Sequence, residues 1–209
     1  MIDRHMTALI RPAIHAMASV LARAGVGANT LTFTGLAVGW LAALAIALHS
    51  PVLGAIGILI SRLFDGLDGA VARQTAPTDR GGFLDISLDF LFYPAVPLAF
   101  AIADPATNAL AAATLLAAFV GTGTTFLAFA ALAAKLGLTS LAYPDKSFYF
   151  LGGLTEATET LAFFLAMCAW PQHFPLLAYA FAAMCAVTIV TRLHWGWNAL
   201  APTSAGERR

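Results

Sequence analysis

The sequence predicts an all-α integral membrane protein with six transmembrane helices, preceded by an N-terminal interfacial amphipathic helix. Of its 209 residues, 60% are hydrophobic and only 11% are charged, which is not the composition of a soluble domain. Apolar runs near the ~20 residues that a helix needs to cross a bilayer recur along the chain. Short stretches with Gly, Pro and polar residues separate them and are typical of turns. A single membrane domain therefore accounts for most of the chain.

Residues 1–27 are predicted to form a cytosolic or interfacial amphipathic helix. Apolar residues recur there at helical spacing, with Arg4, Arg11 and Arg23 between them, a pattern that suits a helix lying in the membrane surface. An irregular cytosolic tail is the alternative. The segment lacks a charged start followed at once by an apolar stretch and a cleavage site, so no removable signal peptide is expected.

The six-helix transmembrane domain is expected to cover residues 28–198, which leaves 199–209 as a cytosolic tail. The predicted spans are 31–48, 52–73, 81–103, 109–134, 148–170 and 176–195. The turns at 49–52, 103–108 and 170–175 contain no Lys or Arg, and these residues collect on the cytosolic side of membrane proteins. Both termini and the 74–80 loop are therefore expected in the cytosol, in a multi-pass protein of the cell (inner) membrane.

Residues 65–89 hold five of the eleven acidic residues of this apolar chain. Asp65 and Asp68 are three residues apart, and Asp85 and Asp89 are four apart, so each pair shares one face of a helix. Antiparallel helices would place the two pairs at matching depths. Four carboxylates so close at the edge of the hydrocarbon disfavour ionisation unless they are compensated.

Divalent cations provide such compensation. Oxygen-only ligands favour Mg²⁺ or Mn²⁺, and four carboxylates are enough to share two ions about 4 Å apart, an arrangement used in phosphoryl transfer. The alternative is that the carboxylates form ion pairs with Arg62, Arg73 and Arg80. The small residues Gly69 and Ala72 would let a flat or phosphorylated ligand approach the helix backbone.

The pattern Asp65-x2-Asp68-Gly69-x2-Ala72-Arg73-x7-Gly81-x3-Asp85-x3-Asp89 resembles the signature of the CDP-alcohol phosphotransferases. These are integral membrane enzymes that make phospholipid head groups. The spacer between Arg73 and Gly81 is one residue shorter than is usual in that family. An Asn-x-x-Thr at the start of the first span, Asn29 and Thr32, extends the resemblance.

The resemblance implies transfer of a phosphatidyl group from CDP-diacylglycerol to the hydroxyl of a polar alcohol, which can itself carry a phosphate, with release of CMP. It implies that the four aspartates hold two Mg²⁺ or Mn²⁺ ions and that Asp89 is also the general base. The residues implied at the nucleotide site are Asn29, Thr32, Asp68, Gly69, Ala72, Arg73, Thr78 and Gly81. A homodimer among membrane lipids, with no nucleic-acid partner, is also implied.

Two other functions are weighed. One is a CDP-alcohol:diacylglycerol phosphotransferase, in which a soluble CDP-alcohol is the donor. The other, from a different class, is a divalent-cation transporter that uses the carboxylates as a permeation site. A transporter is expected to carry acidic residues near mid-membrane on several helices, whereas here they cluster on one helical hairpin.

The acceptor alcohol is expected near Asp89 and the cytosolic halves of the other helices. The candidate residues there are Lys135, Lys146, Glu156, Glu159 and Arg192. The three basic residues could bind a phosphorylated acceptor, although cytosolic lysines also follow from topology alone. The two glutamates are predicted to lie deep in the fifth span, where ionised side chains need partners. A structural pairing of the glutamates with Arg62 or Arg192 is the alternative.

Overall fold

The structure, a computed structural model, describes residues 2–137 and 153–200, with the backbone alone for residues 2–9. The helices are α1 (Ile2–Arg23), α2 (Ala28–Ala47), α3 (Pro51–Gln74), α4 (Asp79–Ala103), α5 (Pro105–Lys135), α6 (Ala157–Ala169) and α7 (Phe174–Ala199), with a 3-10 turn at Pro171–His173. No strand occurs in these described ranges. The all-α prediction is confirmed there.

Four helical segments of the described chain are long and apolar enough to cross a membrane. They are α2, α4, α5 and the segment Pro171–Ala199. Helix α3 has 24 residues, but Arg62, Asp65 and Asp68 interrupt its apolar run. Helix α6 has only 13 residues. Four membrane-spanning helices are therefore supported by length and composition, and six remains a prediction.

The predicted fifth span, 148–170, is wrong at its beginning. Residues 148–152 lie outside the described ranges, and 153–156 are not helical. Helix α6 begins only at Ala157, because Glu156 and Glu159 form a capping box that satisfies N–H groups left without intrahelical partners at a helix start. Glu156 and Glu159 were expected inside the fifth span, and they lie instead at the N-terminal end of α6.

Left-handed residues terminate the first two helices. Gly25, with φ of 77°, follows α1, and the Val26 amide donates to the Leu21 carbonyl at 3.0 Å, the bond that closes a Schellman motif. His49, with φ of 58°, plays the same part after α2, which agrees with the turn predicted at 49–52. Helix α1 forms within the predicted first segment, and its place at a membrane interface stays a prediction.

The bundle core is apolar and contains many aromatic rings. Helix α2 packs on α3 and α4, and α5 packs on α7. The rings of Phe92, Phe164 and Phe181 are almost completely buried, at no more than 1% exposure. Tight packing of this kind fixes the register of the helices, and so fixes which side chains of α3 and α4 face each other.

Glycine permits the close crossing of α2 over the site-bearing helices. A Cβ at Gly39 would lie 2.9 Å from Ser61 Oγ of α3 and would collide with the ring of Phe92 of α4. A Cβ at Gly57 would lie 2.7 Å from the Ala42 Cβ. Small residues at such crossings are how membrane helices bring their backbones together.

We expect Gly39→Ala to destabilise the protein by about 1–3 kcal/mol, because overpacking forces neighbouring side chains to move. Gly66→Ala is the matched control. Its Cβ would meet only Ile14 Cδ1, at 3.8 Å, and alanine has the higher helix propensity. Unfolding in detergent micelles should show opposite signs for the two variants, and equal midpoints would contradict the close crossing.

Candidate active site

The turn between α3 and α4 is held at both ends. On the α3 side, Gln74 Oε1 accepts from Ser19 Oγ at 2.9 Å and its Nε2 donates to the His15 carbonyl at 3.2 Å. On the α4 side, Thr78 is the N-cap, and its Oγ1 accepts from the Gly81 amide at 3.1 Å. These bonds anchor the end of α3 on α1 and fix the start of α4.

Three of the predicted ligands lie together. One carboxylate oxygen from each of Asp65, Asp68 and Asp85 lies within 4.8 Å of the others. Asp68 is only 4% exposed, and its Oδ2 is buried without a hydrogen-bond partner among the described residues. A buried oxygen without a donor is costly, and a bound cation would satisfy it. The donor set therefore fits Mg²⁺ or Mn²⁺.

The fourth predicted ligand is engaged by arginine. Arg62 Nη1 donates to Asp89 Oδ1 at 2.8 Å and also lies 3.4 Å from Asp65 Oδ1. The ion-pair alternative weighed above therefore applies to these two carboxylates. The described ion pairs of Arg62 include neither Asp68 nor Asp85. These two carboxylates belong to the three-aspartate cluster.

A cavity of about 1090 Å³ lies beside the carboxylates. Its lining includes all eight residues expected at the nucleotide site, namely Asn29, Thr32, Asp68, Gly69, Ala72, Arg73, Thr78 and Gly81. Asp85 and Asp89 line it too. Asp65 instead lines a narrow pocket with Arg62 on the inner side of the cluster.

The candidate acceptor residues separate into two groups. Glu156 and Arg192 line the same cavity. Lys135 is exposed at the end of α5 and is not part of the lining, and Lys146 lies outside the described residues. Glu159 is likewise absent from the lining, because its Oε2 accepts from the Glu156 amide at 3.2 Å as part of the helix cap.

Arg192 joins α7 to α5 at the inner end of the cavity. It is 8% exposed, its Nη1 donates to the Thr122 carbonyl at 3.0 Å, and its guanidinium lies 5.7 Å from the ring centre of Phe126. Its Nε is buried without a hydrogen-bond partner in the described part of the chain. Glu156 is near enough to interact with it electrostatically. Of the two arginines that the sequence offered to Glu156, Arg192 is thus the nearer in charge interaction, since Arg62 bonds the aspartates.

The sequence did not indicate several other lining residues. They include Tyr93, Thr122, Thr124, Thr155, Thr160, Phe181 and Cys185. Gly121 and Gly123 pack against Ile189 and Phe90. Thr122 and Thr124, on the same stretch of α5, line the cavity. Which face of a uniformly apolar helix borders a cavity depends on tertiary packing, which no local pattern records.

Thr188 fixes the segment that leads into α6. Its side chain is fully buried, and its Oγ1 accepts from the amides of both Leu154 and Thr155 at 3.1 Å. It also lies 2.9 Å from Thr155 Oγ1. The position of Glu156 at the cavity wall therefore depends on this one hydroxyl of α7.

These features define a class: a helical membrane protein with a carboxylate cluster beside a cavity large enough for a nucleotide. The sequence model of the CDP-alcohol phosphatidyltransferases matches residues 26–193, a range that contains all four aspartates. The chain belongs to the CDP-alcohol phosphatidyltransferase family. It is a transferase of phosphate-containing groups in phospholipid synthesis, which answers the transporter alternative.

The chain is similar to one bacterial inner membrane protein over nearly its whole length and to two archaeal enzymes over about half of theirs. The inner membrane protein YnjF of Escherichia coli K12 is 50% identical over 200 residues, or 96% of this chain and 97% of YnjF. The archaetidylinositol phosphate synthase of Pyrococcus horikoshii is 34% identical over 91 residues, 41% of this chain and 48% of that protein. Its counterpart in Methanothermobacter thermautotrophicus is 39% identical over 92 residues, 43% and 47% of the two chains.

Solved structures of one enzyme share the fold. The phosphatidylinositol phosphate synthase PgsA1 of Mycobacterium tuberculosis, in complex with manganese and citrate, superposes with a TM-score of 0.71 at 24% identity, over 94% of this chain and 93% of that one. The same enzyme with CDP-DAG bound gives a TM-score of 0.68 at 24% identity, over 94% and 98%. This likeness establishes the helical architecture.

We expect Thr188→Val to destabilise the protein by roughly 1–3 kcal/mol, because it removes the acceptor of two part-buried hydrogen bonds from the Leu154 and Thr155 amides, each worth about 0.5–1.5 kcal/mol. Thr191→Val is the control, since Thr191 Oγ1 bonds only carbonyls of its own helix. Chemical denaturation in detergent would measure both. A Thr188→Val protein as stable as Thr191→Val would show that the hydroxyl does not hold this segment.

Proposed function

We propose that the protein transfers a phosphatidyl group from CDP-diacylglycerol to the hydroxyl of a polar alcohol and releases CMP, with two Mg²⁺ or Mn²⁺ ions. One observation carries this proposal. The carboxylates of Asp65, Asp68 and Asp85 converge within 4.8 Å, and the cavity beside them is lined by every residue that the signature assigns to the nucleotide. The mycobacterial enzyme of the same fold was solved with CDP-DAG and with manganese, which supports both components.

Asp65, Asp68 and Asp85, with a contribution from Asp89, would hold the ions. When bound, the ions neutralise charge on the pyrophosphate and make CMP a better leaving group. Asp68 Oδ2, which is buried without a hydrogen-bond partner among the described residues, is the oxygen with the most to gain from a cation. The Arg73 side chain and the Thr78 cap lie at the other side of the same cavity, where the nucleotide would be oriented.

Asp89 is the proposed general base. It lines the cavity between the aspartate cluster and Tyr93, and Arg62 occupies only its Oδ1. Its Oδ2 is available to take the acceptor's proton as the oxygen attacks the β-phosphorus, while the CMP oxygen leaves.

The acceptor would enter from the end of the cavity formed by α5, α6 and α7. Arg192 and Glu156 meet there, and the buried Arg192 Nε has no partner among the described residues. A phosphorylated polyol fits this charge arrangement, because the guanidinium can bind phosphate and the carboxylate can accept from hydroxyls. The two archaeal relatives are named archaetidylinositol phosphate synthases, which supports an acceptor of the same class.

The decisive assay measures CMP release by purified protein in lipid nanodiscs with Mn²⁺, CDP-diacylglycerol and a panel of alcohols, with and without phosphate groups. We expect CMP only when a matching acceptor is present. CMP formed from a soluble CDP-alcohol and diacylglycerol would establish the alternative direction of transfer. No CMP with any acceptor in either arrangement would overturn the proposal.

We expect Asp89→Asn to lower kcat by roughly 10²–10⁴-fold, the usual contribution of a general base, while donor binding changes little. Asp79→Asn is the control, since Asp79 is an exposed acidic residue in the first turn of the same helix. Turnover rates and equilibrium binding of a CDP-lipid analogue would separate the two effects. Normal turnover in Asp89→Asn would refute the assignment of the base.

The proposed orientation places the α3–α4 turn and both termini in the cytosol of a cell whose inner membrane holds the protein. Single cysteines at Ala76 and Gln172, in a chain with Cys168 and Cys185 replaced by alanine, would report it. With a membrane-impermeant maleimide on intact spheroplasts, Gln172→Cys should be labelled and Ala76→Cys protected until the membrane is opened. The reverse pattern would invert the topology.

A further inference from the structure

We propose that Arg62 is a positioning residue for the transfer reaction: it holds Asp89 in place as the base and, as a fixed cation, weakens the binding of divalent ions to the neighbouring carboxylates. This inference rests on the proposed function and concerns a residue outside the family signature described above.

The contacts of Arg62 separate Asp89 from the rest of the cluster. Its Nη1 bonds Asp89 Oδ1 at 2.8 Å across the two helices and lies 3.4 Å from Asp65 Oδ1 on its own helix. The set within 4.8 Å comprises Asp65, Asp68 and Asp85 and omits Asp89. Of the four predicted ligands, the one given the catalytic role is thus the one that receives a hydrogen bond from the guanidinium of Arg62, while Asp65 lies near it and within the cluster.

The guanidinium is itself rigidly supported. It lies over the Phe92 ring, 4.0 Å from the ring centre, and its Nη2 is 3.4 Å from Ser61 Oγ. Ser61 is fully buried and donates to the Gly35 carbonyl of α2 at 2.7 Å. The Arg62 side chain is only 15% exposed. Contacts from α2, α3 and α4 therefore hold the cation in one place, unlike a surface arginine.

Two consequences follow, and they have opposite signs. A fixed positive charge 3.4 Å from Asp65 repels an incoming divalent cation, and water screens this repulsion only in part because the Arg62 side chain is 15% exposed. The bond to Oδ1 fixes the carboxylate plane of Asp89 and leaves its Oδ2 outside the described ion pairs, which favours directed proton transfer over wrapping around an ion. Arg62 therefore improves turnover while it lowers metal affinity. A residue that merely stabilised the fold would support both.

The test replaces Arg62 with methionine and measures Mn²⁺ binding by calorimetry on nanodisc-embedded protein without nucleotide. We expect roughly tenfold tighter Mn²⁺ binding, the size of losing one nearby repulsive charge. In the same variant kcat should fall by about 100-fold with the KM for the CDP-linked donor nearly unchanged. Arg80→Gln is the charge-matched control, because Arg80 is exposed at the start of α4 and should alter neither quantity.

Two further variants connect the effect to Asp89. Arg62→Lys keeps the charge but not the forked geometry, so its Mn²⁺ affinity should stay at the wild-type value while kcat recovers part of the loss. In an Asp89→Asn background, Arg62→Met should lower kcat no further, because residues that act through one another are not additive, and its tighter Mn²⁺ binding should persist.

Unchanged or weaker Mn²⁺ binding in Arg62→Met would overturn the inference, as would additive losses of kcat in the double variant. If Arg62→Met fails to fold, the measurements on Arg62→Lys decide. Tighter Mn²⁺ binding in this charge-retaining variant contradicts the proposal. Wild-type Mn²⁺ affinity together with a reduced kcat supports it. Absence of Mn²⁺ binding in the wild-type protein would refute the proposed metal site itself, which is a different failure.

Discussion

The structure depends on how four carboxylates are accommodated within an apolar helical bundle. Isolated charges in such surroundings are too costly to persist, and the protein compensates them in two ways. Arg62 bonds Asp89 and lies 3.4 Å from Asp65. Asp65, Asp68 and Asp85 converge, and Asp68 Oδ2 is buried without a hydrogen-bond partner among the described residues. Asp68 and Asp85 line the large cavity, so the two carboxylates outside the described ion pairs of Arg62 lie beside the space for a ligand.

The remaining architecture keeps these groups in register. Gly39 lets α2 approach closely enough to hold Ser61 and Phe92, and these two residues in turn support the guanidinium of Arg62. Thr78 caps α4 at the turn, while Thr188 secures the segment that presents Glu156. Polar groups buried in a low-dielectric interior are effective only when they are fixed in this way.

Sequence patterns predicted the all-α class, the limits of α2 to α5 within a few residues, and the hairpin that carries the aspartates. These succeed because apolar length and the spacing of charges are local properties. The beginning of α6 was missed, because Glu156 and Glu159 were interpreted as deep ligands when they form a capping box. The ion pairs of Arg62 with Asp65 and Asp89 were one of two alternatives that the sequence left open. The lining threonines were missed, since they depend on contacts between helices far apart in sequence.

The proposed chemistry depends on a divalent-cation site formed by Asp65, Asp68 and Asp85. Anomalous diffraction from crystals grown with Mn²⁺ and a CDP-linked lipid tests it most directly. A manganese peak within coordination distance of oxygens from all three aspartates, including Asp68 Oδ2, is the predicted result. No peak at this cluster, with Mn²⁺ absent or bound elsewhere and Asp68 Oδ2 paired instead with a protein donor, would contradict it.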